Sequence, residues 1–337
     1  MVDEGEEEFV REMKEKALSG EGITVKEAER LAEAPLEPVV NAADEIREKN
    51  MGDGVDTCSI INAKAGNCAE DCGFCAQSTH FDTDIDTHEY LEPDEIVEAA
   101  KRAEEDGANR FGIVVAERGI NKEKRPEEFE KVLESVRRIR DETGIEPDAS
   151  LGLITEEEAR ELRDAGLKHF NHNIETAPSY FDNVVTTHDF EDRVEAIEVA
   201  KEAGMHVCAG VILGMGEEMH HRIEAAHELR RIGVDTVPVN ILNPVPGTPF
   251  EDYSKITVDE ILKSVAIYRF MMPEKVIRLT GGREQNLKDR QSDVLEAGAN
   301  GLLIGDYLTS EGQNADEDQE MIESIGMEIE DVEGKAG

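Results

Sequence analysis

The amino-acid sequence predicts an α/β fold, a closed (β/α)8 barrel of the TIM type with an N-terminal helical extension. Three observations carry this expectation. From residue 55 onward, strand-like and helix-like segments alternate, which argues for a parallel sheet with crossover helices. Eight strand candidates at this spacing favour closure over an open doubly wound sheet. No Gly-x-Gly-x-x-Gly joins a strand to a helix, which weakens a dinucleotide-binding reading. A chain of 337 residues can bury such a core, as one large α/β domain or two smaller ones.

Residues 1–50 read as a helical cap. Glu6–Leu18 forms the first helix. Thr24, with Glu27 three residues on as a capping box, opens a second that runs to about Ala34. Pro38 opens a third, ending at Lys49. The barrel is expected over 51–311. Its strands are expected at Asp56–Asn62, Arg110–Ala116, Glu146–Leu151, His169–Glu175, His206–Leu213, Thr236–Ile241, Val276–Leu279 and Gly301–Ile304. Its helices are expected at Pro93–Asp106, Pro126–Glu142, Thr155–Ala165, Phe190–Ala203, Met219–Ile232, Val258–Phe270 and roughly Gln291–Ala297. Residues 312–337 read as an acidic tail with one short helix.

In such a barrel the reactive groups project from the C-terminal ends of the strands. Side chains alternate along a strand, so Phe111, Ile113 and Val115 would face the helices, and Arg110, Gly112 and Val114 the interior. The same parity turns Asn171, Asn173 and Glu175 inward. It can also turn Cys58, Asn62, Cys208, Asn240 and Arg278 inward. An interior that collects amides, a carboxylate, an arginine and two thiols is a polar site, not only a packed core.

The charge balance excludes some partners. With 36 basic and 78 acidic residues the formal net charge is −42, so nucleic acid and anionic membrane are poor partners. The acids are spread over the whole chain, and 39% hydrophobic residues with clear periodicity argue against disorder. The expectation is a solvated acidic shell of the kind salt-loving, halophilic organisms use, weakened at low salt by self-repulsion. No apolar run approaches 18 residues, and Met1–Glu8 is acidic, unlike a signal peptide. Five cysteines in so long a chain do not make a disulfide framework, so a reducing, cytoplasmic setting is expected.

Three of those cysteines lie in one stretch, Cys68-Ala-Glu-Asp-Cys72-Gly-Phe-Cys75, spaced C-x3-C-x2-C. Tetrahedral zinc sites need four ligands, usually as two separated pairs, and no second pair is nearby. Three thiolates on one short loop can hold three irons of a [4Fe-4S] cluster and leave the fourth open. A zinc knuckle or three buried structural thiols is the plain alternative. The spacing resembles that of radical S-adenosylmethionine (SAM) enzymes. That resemblance implies that SAM binds the open iron, with Phe74 near its adenine.

Further along, the chain from about residue 38 to 325 resembles the biotin synthase family. Beyond the cysteine loop and its Ala76-Gln77-Ser78, the motifs are Phe170-Asn171-His172-Asn173-Ile174-Glu175-Thr176, Thr186-Thr187 with Arg193, Val207-Cys208-Ala209-Gly210 and Gly214-Met215-Gly216-Glu217. Then come Val237-Pro238-Val239-Asn240, Pro246-Gly247-Thr248-Pro249, Met271-Met272-Pro273, Arg278-Leu279-Thr280-Gly281-Gly282-Arg283-Glu284 and Leu308-Thr309-Ser310. The resemblance implies radical sulfur insertion into dethiobiotin. The reduced cluster splits SAM to a 5′-deoxyadenosyl radical, which abstracts hydrogen from an unactivated carbon; sulfide from a second iron–sulfur cluster fills the gap. By matching positions, Glu175 is expected to hold the SAM ribose and Arg193 to assist SAM binding. Asn173 and Asn240 are expected to hydrogen-bond the ureido ring, since an amide offers donor and acceptor together. Thr309 and Ser310 are expected at the carboxylate. An electron donor such as flavodoxin or ferredoxin and a homodimer are also implied.

The pattern breaks at the auxiliary cluster. The commonest members hold a [2Fe-2S] cluster with three strand cysteines and an arginine. Here Cys208 and Arg278 stand at two of those positions, but Gly112 and Asp148 occupy the others. Cys58, ten residues before Cys68, is expected to converge with Cys208 on a different auxiliary cluster, with Arg278 nearby and Asp148 as an oxygen ligand. The plain reading of Cys58 is a small buried residue. The departure also leaves open an enzyme of this group acting on another small molecule without sulfur insertion. Other features read as structure. His220-His221 belong to a solvated helix start. Asp82, Asp84 and Asp86 form a solvated loop that lacks the glycine and glutamate of a calcium loop. Gly281-Gly282 is a tight strand-end turn, and Met271-Met272 is helix-end packing.

Overall fold

A computed structural model describes residues 4–20, 22–308 and 312–330. The chain opens with helices α1 (Glu4–Leu18), α2 (Val25–Glu33) and α3 (Leu36–Met51). The capping box at α2 forms in full: Thr24 Oγ1 accepts the Glu27 N–H, and the Glu27 carboxylate accepts the Thr24 N–H at 2.7 Å. Helix α3 begins two residues before the expected Pro38. That proline lies in the first turn, where a missing N–H leaves no bond unmade. Ala28, Leu31, Val39, Ala43 and Ile46 are fully buried, so the apolar faces of α2 and α3 are covered. They pack against α8 (Met219–Ile232) and α9 (Val258–Met271) on the outside of the barrel.

The wall begins at β1 (Gly54–Lys64). It continues through β2 (Arg110–Val115), β3 (Glu146–Ser150) and β4 (His169–Asn171). Then follow β5 (His206–Cys208) and β6 (Val211–Leu213), which share one stave, and β7 (Thr236–Ile241), β8 (Val276–Leu279) and β9 (Gly301–Leu303). Every pairing is parallel, and β9 pairs back to β1 with Asp56 opposite Gly301 and Cys58 opposite Leu303, which closes the barrel. Outside lie α4 (Pro93–Glu105), α5 (Pro126–Glu142), α6 (Glu156–Ala165), α7 (Phe190–Glu202), α8 and α9. The fold class is the one the alternation predicts.

Several elements depart from the expected limits. The strand at 169–175 stops at Asn171, and Glu175 adopts φ 65°, the left-handed region that ends extended structure. The strand at 206–213 breaks at Ala209-Gly210. A Cβ on Gly210 would lie 1.8 Å from the Pro238 carbonyl oxygen, so only glycine lets the two backbones approach. The expected helix at 291–297 shrinks to α11 (Ser292–Leu295), preceded by α10 (Arg283–Leu287). After these come α12 (Ala315–Ser324) and β10 (Glu328–Ile329), a short strand the sequence did not signal, parallel to the start of β1. Buried Asp318 on α12 accepts a hydrogen bond from Arg283 Nη2 at 2.6 Å, tying this last described segment to the barrel.

Candidate active site

The C-terminal ends of the strands enclose a cavity of about 460 Å³. Cys68, Cys72 and Cys75 line it, on the loop that follows β1, together with Phe74, Asn173, Glu175, Arg193 and Asn240. The loop is held by its own backbone. Cys68 N–H donates to Gln77 O, Thr79 N–H to Cys68 O, and Cys75 N–H to Cys72 O, at 2.8–3.0 Å. Gly73 donates to Val184 O at 2.8 Å, and a Cβ on it would meet the Phe250 ring at 2.9 Å. Glycine there lets the loop press onto Phe250, which leaves the neighbouring Phe74 ring at the cavity wall.

Each loop thiol has a donor. The Glu70 N–H points at Cys68, the Gln77 N–H at Cys75, and Arg193 Nη2 lies 3.9 Å from Cys72 Sγ. Burial pushes Cys72 up to about 12 and Cys75 up to about 11, so as free thiols they are protonated at neutral pH. Iron would displace those protons, and donors aimed at the sulfurs would stabilise the thiolates. Among the described residues, no three Cys, His, Asp or Glu side chains gather tightly enough to grip a single ion. Thiols set apart at the rim of a cavity suit the corners of a cubic cluster.

Beside the loop stands an ionic pair. Arg193 Nη1 donates to Glu175 Oε1 at 3.2 Å and to Asn173 O at 2.8 Å. Glu175 is buried, and burial raises its pKa against the pull of Arg193. Among the described residues its Oε2 has no hydrogen-bond partner, an acceptor left for a bound hydroxyl. The left-handed backbone at this non-glycine residue is a strained feature of the kind that clusters at functional sites. The Glu175 N–H and C=O are engaged by Gly210 O and the Ile212 N–H, which fixes the turn that aims the carboxylate inward.

The two asparagines are partly used by the fold. Asn173 Oδ1 accepts the Gly210 N–H at 3.0 Å, and Asn240 Oδ1 accepts the Gly281 N–H at 3.1 Å. Each oxygen has a second lone pair. Asn62 Oδ1 and Thr280 Oγ1 are also buried without partners among the described residues, and Thr280 lines the cavity. Thr309 and Ser310 lie outside the described residues; Tyr307 and Leu308 just before them line the cavity.

Cys58 and Cys208 are buried and are not among the residues that line this cavity. Both thiols are near enough to Arg278 for their charges to act on it. Burial pushes Cys58 up to about 11, opposed by Arg278. Arg278 pairs with Asp56, and Arg110 joins the same carboxylate at 3.2 Å, while Arg278 Nε has no partner among the described residues. Gly112 faces Ile60, whose Cγ2 lies 3.0 Å from where a Cβ would be. Asp148 is buried opposite Gly112 and His169 in register. The features read as structural occupy expected places. Asp82, Asp84, Asp86 and His220 are exposed, His221 Nδ1 accepts the Glu218 N–H at the start of α8, and Met271 and Met272 are buried.

A parallel (β/α)8 barrel with a three-thiol loop at its mouth, beside a buried Glu–Arg pair in one cavity, defines a radical SAM enzyme. Residues 64–230 match the Radical SAM superfamily model, and residues 238–328 match the Biotin and Thiamin Synthesis associated domain. Among curated relatives, the biotin synthase of Natronomonas pharaonis is 54% identical over 332 residues, covering 97% of this chain and 90% of that one. The biotin synthases of Geotalea uraniireducens and Carboxydothermus hydrogenoformans are each 46% identical, covering 92% and 94% of this chain and 94% and 97% of theirs. The chain belongs to the biotin synthase family. Among solved structures, methylornithine synthase superposes with a TM-score of 0.82 at 20% identity, covering 95% of this chain and 98% of that one. HydG, a maturase of the [FeFe]-hydrogenase, gives 0.80 at 18%, covering 95% and 76%; both speak to the fold alone.

Membership implies a [4Fe-4S] cluster, SAM and an auxiliary iron–sulfur cluster. The cysteine loop fits the first, and the unpartnered Glu175 Oε2 fits a SAM hydroxyl. The usual auxiliary ligand set does not fit, because glycine and aspartate replace two thiolates. His188, Glu70, Gln77 and Tyr307 also line the cavity, and sequence reasoning missed them. Glu70 and Gln77 were signalled only as neighbours of the cysteines, and His188 by its place after Thr186-Thr187.

Proposed function

We propose that this chain is a biotin synthase that inserts sulfur into dethiobiotin by radical SAM chemistry. The carrying observation is near-full-length similarity to biotin synthases, 54% over 97% of the chain, joined to one cavity that unites the cysteine loop with Glu175, Arg193, Asn173 and Asn240. Cys68, Cys72 and Cys75 would hold the [4Fe-4S] cluster, which with SAM supplies the radical that takes hydrogen from an unactivated carbon. Phe74 would pack near the adenine, Glu175 would accept from the SAM ribose, and Arg193 would position SAM. Asn173 and Asn240 would use their remaining lone pairs and amide protons on the ureido ring, with Thr309 and Ser310 at the substrate carboxylate. The protein's part is orientation and exclusion of water around reactive species.

For the auxiliary cluster, Cys58, Cys208 and Arg278, with Asp148 as an oxygen ligand, are the residues present. Their composition points to a form other than the usual [2Fe-2S] arrangement. A reductant of the flavodoxin or ferredoxin class, a homodimer and a cytoplasmic setting complete the reading. Among the described residues no helix is long and apolar enough to cross a membrane.

The test is anaerobic reconstitution in high salt, with iron and sulfide counted per chain, followed by reductant, SAM and dethiobiotin. The expected products are 5′-deoxyadenosine and biotin. SAM cleavage indifferent to dethiobiotin, with no biotin formed, would replace this reading by an enzyme acting on another small molecule.

A further inference from the structure

His188 follows the 3-10 turn Pro178–Asn183 and lies between the cysteine loop and the Glu175–Arg193 pair. Arg193 Nε donates to His188 Nε2 at 2.9 Å. An arginine has no acceptor, so Nε2 must be the unprotonated ring nitrogen. The ring proton is then on Nδ1, where it faces Glu70 Oε2. The imidazole is therefore neutral with one tautomer fixed. Its side chain is 5% exposed, and the Phe181 ring meets it edge-on at 5.8 Å. Burial and the Arg193 charge lower its pKa, which favours the same neutral form.

We propose that His188 is a positioning residue that holds Arg193 in its SAM-facing pose. This rests on the reading of Glu175 and Arg193 as the SAM side of the cavity. With Nε held by His188 and Nη1 by Asn173 O and Glu175, the guanidinium plane is set and Nη2 is turned toward Cys72. His188 also separates Arg193 from Glu70, a second buried carboxylate within reach of the same region. Without the imidazole, the guanidinium can turn to Glu70 and leave Glu175. Glu70 lies between Cys68 and Cys72 and also accepts from Thr187 Oγ1 at 2.6 Å. The line Glu70–His188–Arg193–Glu175 thus connects the cysteine loop to the turn that follows β4.

The test compares His188→Ala with His188→Gln in the reconstituted holoenzyme. Glutamine carries a donor and an acceptor, as the neutral imidazole does. Iron and sulfide are counted, SAM affinity is titrated through the spectrum of the reduced cluster, and KM for SAM is separated from kcat. His188→Ala is expected to keep its iron and bind SAM roughly ten- to a hundredfold more weakly, as for a lost hydrogen bond to a charged group. His188→Gln is expected to recover most of that loss. Wild-type SAM affinity in His188→Ala overturns the proposal. So does equal weakening in both variants, or loss of iron from both, which would assign His188 to packing the loop. Wild-type protein that fails to bind SAM sinks the reading of the site itself, and this inference with it.

Discussion

Cys58 and Cys208 are the two thiols outside the loop, and both are buried near Arg278, whose Nε has no partner among the described residues. Free cysteine is a common buried residue, so burial alone does not separate a ligand from a filler. Removal does. Cys58→Ser and Cys208→Ser should each keep the iron bound by Cys68, Cys72 and Cys75 and the spectral response to SAM. Each should lose the remaining iron and sulfide and form no biotin. A Cys58→Ser protein with the full iron count and normal biotin formation would return Cys58 to the role of a packed side chain. The cysteine triplet was legible because its three thiols recur at close spacing within one loop. Glu175 and the two asparagines were legible by motif, but their geometry was not. The left-handed turn at Glu175 and the engagement of Asn173 Oδ1 by Gly210 depend on strand pairing across the barrel. The bonds of His188 were not legible, because its partners Glu70 and Arg193 come from separate elements and no local pattern joins the three.

At the scale of elements, the N-terminal helices show how a local signal becomes a tertiary one. Glu27 completes the α2 capping box and also accepts two hydrogen bonds from Lys16 Nζ on α1, at 2.7 and 2.8 Å. The Lys16 bond, with the Thr24 bonds behind it, lowers the Glu27 pKa to about 2. A carboxylate depressed in the folded state stabilises the protein above its unfolded pKa, and that contribution fades as pH falls through the folded value. Glu27→Gln keeps an acceptor for Thr24 but loses the charge facing Lys16. It should cost about 1 kcal/mol at pH 7, with the pair's screening by solvent already discounted. The gap between variant and wild type in denaturant unfolding should begin to close below about pH 4.5. A gap that stays constant from pH 7 to 4 would show that the ion pair contributes nothing. The capping box, the order of helices and the eight staves were legible because periodicity and caps are written locally. The breaks were not. The strand at 206–213 splits at Gly210 because Pro238 of a neighbouring strand presses on it, and β10 forms because α12 delivers it to the edge of β1.

For the whole molecule, a net charge of −42 sets the conditions under which the barrel is stable. Two kinds of charge must be separated. Buried pairs such as Arg283–Asp318 and Arg278–Asp56 lie in low dielectric and are little affected by added salt. The exposed charges are mostly acidic, as in the first turn of α6, where Glu156 and Glu157 stand side by side at the surface. Their mutual repulsion acts over about 10 Å at 0.1 M salt and about 3 Å at 1 M. Surface pairs such as Lys101–Glu98 also weaken on screening, but each is worth little, and 36 basic residues cannot offset 78 acids. The net effect of salt is therefore stabilising. The melting temperature should rise by on the order of 10 °C between 0.1 and 2 M KCl, with most of the gain below about 1 M, where screening is already short-ranged. Calorimetry at a series of KCl concentrations, paired with a series in sucrose, checks this. Sucrose stabilises by exclusion from the surface and screens nothing. An equal rise in both series, or a continued linear rise in KCl beyond 1 M, would show that exclusion and not charge screening holds the acidic shell together.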